Sequence, residues 1–295
     1  MSEINQDYIE KLFVKYAKVN TRSDDRSQTV PTTPGQVALA KLVTADLKKL
    51  GVAKVKFDET NGYVTGTLPS NSDKPISALG FIAHLDTADF SANHVKPQVH
   101  PNYDGQDIVL NEAKQIVLKA SEFPNLKKFV GQRLITSDGT TLLGADDKAG
   151  VAALFGALDY FIQNPTVAHG PIRVAFGPDE EIGRGAKQFD AKGFGTDFAY
   201  TLDNGQPGQF EYETFNASEA KIEVEGTAVH PGDAYGLMVN AVTIANEIVS
   251  ALPKDEVPEK SRDHDGFIFV NHFEGAVAHA SLNLILRDFD TPRFH

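Results

Sequence analysis

Within a chain of 295 residues, His84, Asp86, Asp146, Asp147, Glu180, Glu181 and Asp203 have the types and spacing to do chemistry together. His84 and Asp86 are two positions apart at the end of an apolar run. On extended backbone both side chains leave the same face, so the carboxylate can accept the second imidazole N–H and fix the tautomer. Glu180 and Glu181 are neighbours after Pro178-Asp179 and diverge on turning backbone, so one can bind a cation while the other faces its water. Asp146 has two oxygens with which to bridge two ions, and Asp147 reads as support for its loop. Carboxylates crowded in one crevice repel each other unless a cation neutralises them. The chain has no cysteine, so any metal must be held by His, Asp and Glu. Imidazole with carboxylates suits zinc, with manganese or cobalt as substitutes. Bound to such an ion, a water has its pKa lowered towards about 7, and a carboxylate base can finish its deprotonation. The chemistry implied is hydrolysis at a polarised carbonyl.

Taken singly, each pair has an ordinary reading: a surface His-Asp pair, a helix cap, a solvated turn. Their common place along the chain argues otherwise. The apolar run from Ile76 to Ala83 suits a doubly buried strand and ends at His84. Leu142 to Ala145 reads as a strand running into Asp146, Ile172 to Phe176 as one leading to Glu180, and Phe198 to Leu202 as one ending at Asp203. In an open α/β sheet the ligand crevice lies outside the carboxyl ends of the strands, where these groups would converge. Between the strands, helical spacing of Tyr8, Leu12 and Tyr16 predicts one helix. Thr33 and Pro34 open a second that stops at Gly51, and Val151 to Ile162 carry a third.

The expected fold class is therefore α/β: a three-layer catalytic domain over residues 1–210, with a smaller α+β domain over 211–295. In the second, the expected elements are a strand at Ala220 to Val224, a helix at Val239 to Leu252, and strands at Phe267 to Phe273 and Ser281 to Asp288. Lys+Arg 28 against Asp+Glu 40 gives a net charge of -12, which disfavours nucleic acid and anionic membranes as partners. The first residues lack the uninterrupted apolar core of a signal peptide, and the expected location is cytoplasmic.

The strings GFIAHLDT (80 to 87), LITSDGTTLLGADDKAG (134 to 150), RVAFGPDEEIGRGAKQFD (173 to 190), YTLDNG (200 to 205), AVHPG (228 to 232) and LRDFD (286 to 290) carry a resemblance over essentially the whole chain. It is to the tripeptide aminopeptidase branch of the di-zinc peptidase family that also holds aminoacylases, dipeptidases and glutamate carboxypeptidases. The resemblance implies two zinc ions per subunit. His84 and Asp203 would ligate one, Asp146 would bridge, Glu181 would ligate the other, and Glu180 would be the general base, with Asp86 behind His84. It also implies that His230 and Arg287, in a lid or dimerisation domain, bind the substrate's carboxylate or carbonyl oxygen, His230 reaching a partner subunit's site across a homodimer, and that Asn240 lies near the substrate. Relatives continue past the RDFD strand and supply a further His to the second zinc. The expectation is thus a C-terminally truncated chain whose second domain is incomplete and whose second site lacks that His.

The function implied is zinc-dependent release of the N-terminal residue from tripeptides, poor or absent in a truncated chain. A dipeptidase or N-acyl amino acid deacylase shares the same zinc chemistry, and a non-catalytic metal-binding remnant is the reading from another class.

Overall fold

A computed structural model describes residues 3–203 and 208–295, which divide into two compact units, Met1–Pro207 and Gly208–His295. Asn204 and Gly205 of the YTLDNG string lie outside the described residues.

The first unit opens with helix α1 (Gln6–Ala17), whose Leu12, Phe13 and Tyr16 are buried. Helix α2 (Pro34–Leu50) starts on a proline, whose fixed φ suits the first helical position, and ends where Gly51 adopts φ 94°. Strands β1 (Ala53–Phe57), β2 (Val64–Leu68) and β3 (Leu79–His84) follow. Then come four short strands in two separate ladders: β4 (Gln98–His100), β5 (Ile108–Asn111), β6 (Ile116–Leu118) and β7 (Leu134–Thr136), with β4 on β7 and β5 on β6. Helix α3 (Ala145–Gln163), strand β8 (Ile172–Gly177), the single turns α4 (Gly185–Gln188) and α5 (Ala191–Phe194), and strand β9 (Phe198–Thr201) complete the unit.

The main sheet has the order β1-β2-β8-β3-β9, and β3 is parallel to both β8 and β9. All three strands therefore present their carboxyl ends at one edge. Alternation along β8 assigns the two faces. Val174 and Phe176 join Leu39, Val43, Val151 and Phe155 in the main core under α1, α2 and α3. Ala175 instead packs with Tyr63, Phe194, Ile82 and Phe189 on the other face. Helices on both sides of the sheet make three layers. Gly80 of β3 serves the second face: a Cβ there would come within 2.6 Å of the Phe194 ring.

One expected strand does not form. Leu142 to Ala145 pairs with no sheet; Gly144 takes φ 75° and turns the chain directly into α3. Asp146 and Asp147 therefore reach the sheet edge from the first turn of a helix. Both have non-helical backbone angles, and the peptide bond between them is cis.

The second unit is an antiparallel sheet of β10 (Asn216–Glu225), β11 (Phe267–Ala276) and β12 (His279–Asp288), with β12 in the middle. Helix α6 (Ala241–Ala251) lays Ala241 and Ala245 on Val224, Ala280, Leu282 and Leu284, small residues on the helix allowing close approach. A last turn, α7 (Thr291–Phe294), is capped by Asp290, whose side chain accepts from the backbone N–H of Arg293. Among the described residues no helix is long and apolar enough to cross a membrane.

Candidate metal centre

His84 is the last residue of β3 and only 4% exposed, so its ring orientation is set by the groups packed around it. Nδ1 lies 3.1 Å from the backbone carbonyl of Asp86 and 3.3 Å from that residue's carboxylate. An acceptor on this side keeps the proton on Nδ1 and leaves Nε2 facing outward. Four carboxylates gather around Nε2: Asp146 at 2.9 Å, Asp203 at 3.8 Å, Glu180 at 3.9 Å, and Glu181, one of whose oxygens lies within 4.8 Å of His84 and Asp146.

Among the described residues two donor triads result, His84-Asp146-Glu181 and His84-Asp147-Asp203, each with its donor atoms within 4.8 Å of one another. The second contains Asp147 where the resemblance implies Asp146. Both oxygens of Asp147 already accept backbone N–H groups, from His84 at 3.1 Å and from Gly150 at 3.2 Å. Asp147 is buried and ties α3 to the end of β3, whereas the Asp146 side chain is 69% exposed and turned towards the imidazole.

The electrostatics are those of a cluster short of positive charge. Burial opposes protonation of His84, yet the carboxylates of Asp203 and Asp86 outweigh it and push the imidazole up to about 11. Burial pushes Asp147 up to about 8, with His84 pulling the other way. Partial burial raises Glu180 and Glu181 as well, helped by the neighbouring carboxylates. Asp203 moves down, held charged by His84. An imidazole nitrogen with several oxygen donors is the set that a zinc-like divalent cation prefers, and such a cation would relieve the repulsion.

The spacing predicts Asp86 behind His84 and gives no sign of a second connection. Its two oxygens also accept the backbone N–H groups of Glu180 and Glu181, at 3.0 and 3.1 Å. Lys148 was passed over too. It is 1% exposed, its Nζ donates to the Val19 carbonyl at 2.8 Å, and burial pushes it down to about 8. A lysine inside the apolar stripe of α3 was the available signal.

His230, Asn240 and Arg287 belong to the second unit. The exposed ring of His230 accepts the N–H of Gly232 on Nδ1, and Asn240 caps α6 by accepting the N–H of Val242 at 3.0 Å. Arg287 lies on β12 with its guanidinium over the Phe215 ring at 4.0 Å and near Phe267 at 5.4 Å, and its Nε is buried without a hydrogen-bond partner. It lines a cavity of about 590 Å³ walled by aromatic residues including Phe210, Tyr212 and Phe289.

Known proteins resemble the chain in sequence and in fold. Residues 138–273 match the model of peptidase family M20/M25/M40. Peptidase T of Fusobacterium nucleatum is 50% identical over 286 residues, covering 97% of this chain and 69% of the relative. The crystal structure of aminopeptidase PepT from Bacillus cereus superposes with a TM-score of 0.65 at 25% identity, over 99% of this chain and 69% of that one. A Bacillus subtilis protein described as a dinuclear metal binding peptidase from the M20 family shares the fold, with a TM-score of 0.50 at 11% identity over 98% of this chain and 67% of that one. The chain therefore belongs to peptidase family M20/M25/M40, within its peptidase T group.

Proposed function

We propose that this chain is a metal-dependent tripeptide aminopeptidase, and that zinc is the metal. The observation that carries the reading is the buried His84 imidazole, with Nδ1 against Asp86 and Nε2 ringed by Asp146, Asp203, Glu180 and Glu181. His84, Asp146, Asp203 and Glu181 would hold the metal. When bound, such ions lower the pKa of a water and polarise a carbonyl.

The remaining steps belong to the chain's own side chains. Glu180 accepts the proton of the attacking water and returns it to the leaving amine; partial burial raises its proton affinity above an ordinary glutamate's, which suits both directions of transfer. Asp86 holds the His84 ring and, through two backbone N–H groups, the loop bearing both glutamates. Asp147 anchors the backbone of His84. Arg287 would take the free carboxylate of the peptide, and His230 and Asn240 would take other polar groups of the substrate. We assign the second unit a lid or dimerisation role, and the expected setting is a homodimer in the cytoplasm.

A release assay tests the reading. The zinc-loaded chain should free the N-terminal residue of tripeptides, spare N-acylated amino acids, and lose turnover with a chelator. Preference for N-acylated amino acids or dipeptides would replace it with the deacylase or dipeptidase reading; bound zinc with no turnover would indicate a metal-binding remnant.

A further inference from the structure

Asp179, directly before the two glutamates, is 1% exposed and has φ 56°, a left-handed conformation uncommon for a residue with a side chain. All its polar groups are engaged. Its carboxylate accepts the Thr32 backbone N–H at 3.0 Å, the Thr32 hydroxyl, and Nε2 of Gln36 at 2.7 Å. Its own N–H donates to Oε1 of Gln36 at 3.1 Å. Its carbonyl accepts from the backbone N–H groups of Arg184 and Gly185, both at 2.9 Å.

Gln36 is fully buried at the start of α2, with 0% exposure. A side-chain amide is the group that can donate to the carboxylate of a residue while accepting that residue's N–H; a glutamate offers no donor and a leucine neither function. The next two N–H groups, of Glu180 and Glu181, end on Asp86. Three consecutive peptide N–H groups are therefore held by two side chains, one by Gln36 of α2 and two by Asp86 just beyond β3. The Tyr63 hydroxyl completes the enclosure, donating to the Gly185 carbonyl at 3.0 Å.

We infer that Gln36, together with Thr32, is a positioning residue for the peptidase reaction: its amide locks Asp179 in the left-handed conformation and so sets the direction in which the Glu180 and Glu181 carboxylates leave the loop. This deepens the proposed function and rests on it for the roles of the two glutamates. Without the amide, Asp179 loses one partner of its carboxylate and the acceptor of its N–H, and the loop is free to relax towards an ordinary conformation.

The test combines amide hydrogen exchange with kinetics on the whole chain. In Gln36→Leu, exchange at residues 179–181 should rise at least about tenfold while β10 to β12 stay unchanged, and kcat should fall about 10–100-fold, as for other supporting partners of a metal site. KM should stay within about twofold of the parent, and zinc affinity should weaken, because the Glu181 carboxylate leaves the same loop. Should that variant fail to fold, Gln36→Glu and the pair Gln36→Glu with Asp179→Asn replace it. The single change sets two carboxylates against each other and should loosen the loop, and the pair restores one donor-acceptor match and should recover exchange and kcat. Unchanged exchange at 179–181 in a folded single variant overturns the inference, as does a loss of activity explained wholly by KM. If the unsubstituted chain cleaves no peptide, the peptidase reading fails on its own, and the exchange data still decide whether Gln36 holds the loop.

Discussion

The carboxylate of Asp86 accepts the backbone N–H of Glu180 at 3.0 Å, joining the strand end that carries the imidazole to the loop that carries the base. The other oxygen accepts the N–H of Glu181 at 3.1 Å, and Asp86 is fully buried. Replacing it by alanine leaves both N–H groups without an acceptor, at a cost of about 2–4 kcal/mol in unfolding free energy. Asp86→Asn keeps one acceptor oxygen but turns its NH2 against the other N–H, so it should cost at least half as much. Urea midpoints at unchanged m-value measure both, and a loss below about 1 kcal/mol for alanine would mean that water takes over the two N–H groups.

Metal binding should strengthen as pH rises. Without metal, the folded state holds His84 up at about 11 against an ordinary 6.5, and Asp147 at about 8 against 3.8. A raised pKa contributes stability that is full below the unfolded value and lost as pH climbs through the folded one. For Asp147 that window runs from about 4 to 8, and for His84 from about 6.5 to 11. A divalent cation takes the place of the His84 proton, so its affinity rises across the same range. The gap in Tm between zinc-loaded and chelator-treated protein should therefore widen from about pH 6 to about pH 9. A gap that narrows would place His84 outside the metal site.

The guanidinium of Arg287 lies over the Phe215 ring at 4.0 Å and near the Phe267 ring at 5.4 Å, and its Nε is buried without a hydrogen-bond partner. Arg287→Ala should raise KM for a tripeptide by about 10–100-fold, the worth of a charge-assisted hydrogen bond, and change KM little for the same peptide with a C-terminal amide. Equal losses on both substrates would make Arg287 a packing residue of β12.

Much of the frame was legible because local rules act within a few residues. Pro34 and Gly51 bound α2 as an N1 proline and a left-handed stop should, although Thr33 makes no side-chain cap and its hydroxyl instead accepts from Gln36. The apolar run into His84 forms an interior strand from Leu79, flanked by β8 and β9, although three of its residues are only partly buried and Ile76 lies outside it, exposed. Leu142 to Ala145 misled because two leucines before a glycine look extended until Gly144 takes a positive φ. His84 and Asp203 stand at or just beyond strand ends, as their apolar runs predict, whereas Asp146 comes from the first turn of α3, where the sequence pattern predicts a strand end. The backbone N–H groups held by Asp86, and the bond from Gln36 to Asp179 across 143 positions, were not legible. Such contacts depend on which helix lies under which loop, and no periodicity records that.

The account stands most directly on the division of labour between Glu180 and Glu181. Metal content and tripeptide turnover should be measured side by side for Glu180→Gln and Glu181→Gln. Glu180→Gln should keep its zinc and lose turnover by about 10²–10⁴-fold, the range for a removed general base. Glu181→Gln should lose zinc, and its turnover with it. If Glu180→Gln strips the metal while Glu181→Gln retains it, or if Glu180→Gln cleaves tripeptides at the parent rate, the proposed centre is contradicted.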